Sequence, residues 1–123
     1  MQTPVKDEIE HIKFLARDAK RLADLLLNFA ELDDADREAA GGNAAEIDKM
    51  GKAIGRRIRP HVVAAEELER HGRHAEAKRS WEAADSTIHS NAELQGMLEK
   101  MMAHHDSLEK MAREYGLLQP RRK

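Results

Sequence analysis

Seven histidines, His11, His61, His71, His74, His89, His104 and His105, have the widest chemical range in this sequence. An imidazole can ligate a metal, carry a proton, or change charge near neutral pH. A metal centre in a helical bundle takes His and carboxylate ligands three or four residues apart, projecting inwards from facing helices. No Glu-x-x-His pair falls on the expected core face, and the adjacent His104 and His105 would point about 100° apart on a helix. His71 and His74 flank a turn at Gly72. The set reads as surface and boundary histidines, so no metal or other cofactor is expected, although such residues can make an interface pH-sensitive. Cysteine is absent, which removes thiolate nucleophiles, thiolate metal sites and disulfides. The sequence holds no nucleophile elbow, phosphate loop or framed pair of acids. No catalytic residue is assigned, and a non-enzymatic role is expected.

Positive charge is the second resource. Lys49, Lys52, Arg56, Arg57 and Arg59 form one basic cluster, and Arg121-Arg122-Lys123 forms another. Either could touch phosphates or a partner. Against nucleic acid stand a net charge of −2 and the lack of interleaved aromatics for base stacking. The plainer account of such a run is a solvated helix face. Gly51 and Gly55 form a small-xxx-small pair that marks a close helix crossing, with Ala16, Ala19 and Ala23 as its natural partner. Met97, Met101, Met102 and Met111 could make an adaptable binding surface, but core filling is the simpler role.

Helices must carry these groups, because apolar residues recur at steps of three and four and no segment alternates as a strand does. Thr3-Pro4 is a helix start, with a hydroxyl cap followed by a proline whose missing N–H costs nothing there. Ile9, Ile12, Ala16, Ala19, Ala23, Leu26 and Ala30 then make a stripe, widened by Leu15, Leu22, Leu25, Phe29 and Leu32. The expected first helix is 4–32. Gly41-Gly42 favours a turn, and Asn43 with Glu46 reads as a capping box. A second helix is therefore expected over 44–58, with Ile47, Met50, Ile54 and Ile58 inside. Pro60 removes a backbone donor and disfavours helical torsions at Arg59, predicting a kink or short break before a segment 61–71. A helix over 74–88 follows, and Ser90 with Glu93 sets a second capping box that opens 91–115. Residues 119–123 are a basic tail.

The fold class is accordingly all-α: three to five helices in an elongated bundle or coiled-coil-like hairpin, one domain over 1–118. Charged residues make up 36% of the 123 and aromatics only 3%, against roughly a quarter charged in an ordinary domain. The core must therefore be thin, built from Leu, Ile, Met and Ala. Two helices carry a second apolar row: Leu15, Leu22 and Phe29 on the first, Met97 and Met111 on the last. These rows predict a homodimer. No apolar run reaches the ~18 residues of a membrane span, and the charged start is unlike a secretory signal. A soluble, cytoplasmic protein is expected.

Residues 61–88 carry one recognisable pattern: Ala64, Ala65 and Leu68, then Gly72, Ala77, Trp81 and Ala84. It resembles the helical hairpin of a single tetratricopeptide repeat. Leu68-Glu69-Arg70-His71-Gly72-Arg73-His74-Ala75-Glu76-Ala77 followed by Trp81 is also similar to the small bacterial regulators of the AraC-negative-regulator and PerC-like families. His74 stands where those show an aromatic, and Leu94 where a second tryptophan would stand. The resemblance implies a hairpin core of Leu68, Gly72, Ala77, Trp81 and Ala84, and a helical surface that binds a regulator or other protein without catalysis. A DNA-reading helix-turn-helix fits less well, because Arg73 and Lys78 fall where that motif needs apolar residues. The expected function is a protein-binding adaptor or inhibitor. The alternatives are a nucleic-acid accessory protein using the basic cluster, and a structural coiled-coil subunit.

Overall fold

The computed structural model describes residues 7–118. Among these, four helices occur and no strand: α1 (Asp7–Leu27), α2 (Asp34–Arg70), α3 (His74–His89) and α4 (Ala92–Glu114). The cap at Thr3-Pro4 and the basic tail lie outside the described residues. At 37 residues, α2 is about 55 Å long and forms the spine. Its length from Asp36 to Val62 packs against α1 and α4, and its C-terminal end is tied to α3. Gly41 and Ala44 of α2 lie beside Leu27, while Ile58 and Val62 lie beside Ile9, so α1 runs antiparallel to α2. Contacts of Glu93 with Arg57, His104 with Asn43 and Tyr115 with Asp36 set α4 antiparallel to α2 as well. The end of α3 returns to the start of α1, where His89 lies 3.8 Å from Glu8.

Two boundaries differ from the sequence expectation. Helix α2 begins at Asp34, not near residue 44, and runs unbroken through Gly41-Gly42. Asp34 and Asp36 suit the positive end of the helix dipole, and the fully buried Ala40 anchors the glycine-bearing turn. A glycine costs at most about 1 kcal/mol relative to Ala in a helix, which packing overrides. Asn43 does not cap; its Oδ1 accepts from His104 Nδ1 at 2.6 Å. Nor does Pro60 break the helix. The proline is exposed, so its missing donor falls on the solvent side while buried Ile58 and Ala65 hold the adjoining turns.

Helix α1 ends at Leu27 rather than 32. There the Arg37 guanidinium donates to the carbonyls of Leu27 (2.9 Å), Phe29 (3.4 Å) and Leu32 (3.5 Å). One side chain thus satisfies carbonyls that a helix end leaves without partners. Between α3 and α4 the break falls at residues 90–91. The cap is Asn91, whose Oδ1 accepts from the Leu94 N–H at 3.1 Å, while the Ser90 hydroxyl donates back to the Ser86 carbonyl. The core is aliphatic, with Leu22, Leu26, Ile47, Ile54, Ile88, Leu94, Met101 and Leu108 fully buried.

Candidate interaction surfaces

The hairpin residues meet inside the protein. Gly72 adopts φ +76°, and its neighbours close a paired C-terminal motif: Arg73 N–H donates to Leu68 O at 2.9 Å and Gly72 N–H to Glu69 O at 3.0 Å. Ala77 and Ala84 are buried, Leu68 is half-buried, and Trp81 is 5% exposed. The indole N–H of Trp81 donates to Glu69 Oε2 at 2.9 Å, tying α3 to the end of α2. This cluster holds the hairpin shut and offers no surface anchor.

The basic cluster divides. Lys49, Lys52, Arg56 and Arg59 follow one another at steps of three, four and three, so they share a solvent face of α2. Arg57 points elsewhere and meets Glu93 of α4 at 3.4 Å. From residue 49 to 65 the helix has no carboxylate.

On the seam between α1 and α4, His105 and Asp18 form a pair unforeseen from the sequence. His105 Nε2 donates to Asp18 Oδ2 at 2.7 Å, and both side chains are largely buried. Arg21 donates to the other Asp18 oxygen at 2.8 Å, and Phe14 packs on the imidazole with ring centroids 5.8 Å apart. Burial works against ionisation of Asp18. The hydrogen bonds and charges of His105 and Arg21 outweigh it and leave the carboxyl below its usual range. The signal was present but needed pairing: Asp18 interrupts the Leu15–Leu22 row, and His105 the Met101–Leu108 row. His105, Asp106 and Glu109 also bring ligating atoms within 4.8 Å of one another. All three come from one stretch of α4, and the facing carboxylate, Asp18, already holds an imidazole nitrogen.

At the far end of the bundle Tyr115 OH donates to Asp36 Oδ2 at 2.5 Å and accepts from the Asp33 N–H. The bond to Asp36, with burial second, pushes the phenol pKa up. Of the methionines, Met101 is fully buried, Met97 and Met111 are half-buried and Met102 is exposed.

The seam between α1 and α2 is open on its outer side. One chamber of about 210 Å³ is lined by Ile9, Ile12, Ile54, Ile58 and Val62, with Lys13 and Arg59 at its edge. A second of about 470 Å³ lies farther along the same seam, at Ala16, Ala23, Leu27, Gly41 and Ala44. The close crossing expected at Gly51 and Gly55 is not there. A Cβ on Gly55 would meet nothing within 4 Å, and one on Gly51 only the tip of Met101 at 3.4 Å. No family model, curated protein or solved structure matches the chain. Among the described residues no helix is long and apolar enough to cross a membrane.

Proposed function

We propose that the chain is a non-catalytic helical interaction module, an adaptor or inhibitor that binds a protein partner. The observation that carries this reading is the apolar surface of α1. Of the five large apolar side chains exposed among the described residues, Phe14, Leu25 and Leu27 belong to this helix or its last turn, with Val63 and Met102 on its neighbours. Such groups in water forfeit roughly 25 cal/mol per Å² that a partner would recover. The likeness of residues 61–88 to a tetratricopeptide hairpin points the same way. A photo-crosslinking amino acid at position 14 or 25, used in the native host, should give one discrete partner band. The same group at the exposed Glu38 should not. Identical patterns from all three positions would sink the reading.

A second reading rests on the ridge of Lys49, Lys52, Arg56 and Arg59, which could follow a phosphate backbone. Four neutralised phosphates would give a log–log salt slope of about −3.6 on duplex DNA. Duplex binding with a slope near zero, or no binding at low salt, removes it.

A further inference from the structure

We infer that the seam between α1 and α2 is a docking groove for an amphipathic helix of a partner protein, one whose apolar anchor is flanked by carboxylates. This rests on the protein-binding reading and names the chemistry of the partner. The two chambers follow one stripe of each helix: Ile9, Ile12, Ala16, Ala23 and Leu27 on α1, and Gly41, Ala44, Gly51, Gly55 and Val62 on α2. Together they reach from Gly41 to Val62, about 31 Å along α2, the span of a helix of about 20 residues. Small residues keep the wall low along its length, and among the described residues nothing lies within 4 Å of a Cβ placed on Gly55. The 210 Å³ chamber has room for one bulky side chain of the kind that anchors helix-in-groove complexes.

Charge decides the occupant. Asp24 and Asp48 border the second chamber, but each lies beside a lysine, Lys20 at 4.0 Å and Lys52 at 3.1 Å. Lys13 at the apolar chamber is likewise matched by Glu10 at 3.9 Å, so the unbalanced positive charge there is Arg59 at the edge, with Arg56 continuing the ridge outwards. A second copy docked by a two-fold axis would set this ridge against itself, and like charges repel. Nucleic acid could use the cations but would leave the half-exposed apolar lining at Gly51, Gly55 and Val62 uncovered. An apolar side chain between carboxylates satisfies both.

The test uses the full chain and a designed, fluorescein-labelled helical peptide of about 20 residues. Leu and Trp repeat at steps of three and four, with Glu on the flanks. Anisotropy should report binding that weakens by at least about tenfold in Gly55→Met, which fills the chamber, and in Arg59→Glu, which inverts its edge. Both positions are on a regular helix with open space or solvent beside them, and circular dichroism should show both variants folded. Glu82→Ser, on the exposed face of α3 and away from the groove, should bind as wild type. A peptide with Lys in place of Glu, or a single-stranded oligonucleotide, should bind far more weakly. Unchanged affinity in Gly55→Met, equal binding of the Lys peptide, or tighter binding of the oligonucleotide overturns the inference. Loss of peptide binding in Phe14→Ser but not in Gly55→Met overturns the groove and leaves the wider reading standing.

Discussion

Trp81 and the Asp18–His105 pair show what single residues contribute to this fold. Among the described residues the indole is the one Phe, Tyr or Trp ring that is buried, and it closes the hairpin by shape and by its bond to Glu69. Trp81→Ala should cost about 3–5 kcal/mol in urea unfolding, whereas Trp81→Phe keeps most of the packing and should cost much less. A Trp81→Ala chain that unfolds with the wild-type midpoint would mean the side chain fills no real space. Asp18 makes a different prediction, because its pKa lies below the ordinary 3.8. A depressed carboxylate contributes stability that is present above the unfolded pKa and lost as pH falls through the folded one. The wild-type urea midpoint should therefore drop as pH is lowered from about 5 to about 2, and Asp18→Asn should flatten that drop. Superimposable profiles would exclude the pair as a source of acid sensitivity. The positions of Trp81, Ala77 and Ala84 were legible because small and large apolar residues alternate at helical spacing. The partnership of Asp18 and His105 was not: it joins residues 87 apart, and a sequence shows a polar gap in each row without showing that the gaps meet.

Glycine illustrates why element boundaries were harder to read than element types. Two glycines, Gly72 and Gly116, adopt positive φ and end helices, while Gly41 and Gly42 lie in the helical interior of α2. Local sequence does not separate these cases, since a Gly-Gly pair reads as a turn wherever it stands. Tertiary packing around Ala40 decides it. Substitutions should therefore act with opposite signs. Gly72→Ala places a Cβ in the left-handed region and should destabilise by about 1–2 kcal/mol. Gly42→Ala meets no atom within 4 Å and should stabilise by about 0.5–1 kcal/mol, as glycine-to-alanine changes in helices do. Thermal melts of the two variants check this, and a lowered midpoint for Gly42→Ala would place the pair at a turn after all. The end of α1 was hidden for a related reason. Apolar periodicity continues through Phe29 and Leu32, which still pack on the core, but the backbone leaves the helix where Arg37 takes up its carbonyls. No sequence rule links an arginine in the first turn of one helix to the last turn of the one before.

At the scale of the whole molecule, the placement of α1 bears directly on the oligomeric state. Homodimerisation was expected because Leu15 and Leu22, beside the main α1 stripe, had no obvious cover in a chain with so few aromatics. The fold supplies that cover itself: α1 lies against both α2 and α4, so two of its faces are internal, and Leu15 and Leu22 are at most 2% exposed. Phe29 packs edge-on against Tyr115 at 5.6 Å, and Met97 and Met111 lean on the core. What stays in water is the shorter set of Phe14, Leu25, Leu27, Val63 and Met102. These are spread over three helices and both seams of α1, so one two-fold contact cannot bury them together. A C2 interface needs a patch that is complementary to itself, and the face of α2 next to α1 carries like charges that oppose this. The purified chain should therefore scatter light as a 13.9 kDa particle at micromolar concentration, and should stay so when salt is raised to screen the cationic ridge. A mass of twice that value which persists in Phe14→Ser and Leu25→Ser would reveal a self-complementary face other than α1. If the dimer instead dissolves in those variants, α1 is a homotypic interface, and the partner it awaits is a second copy of the same chain.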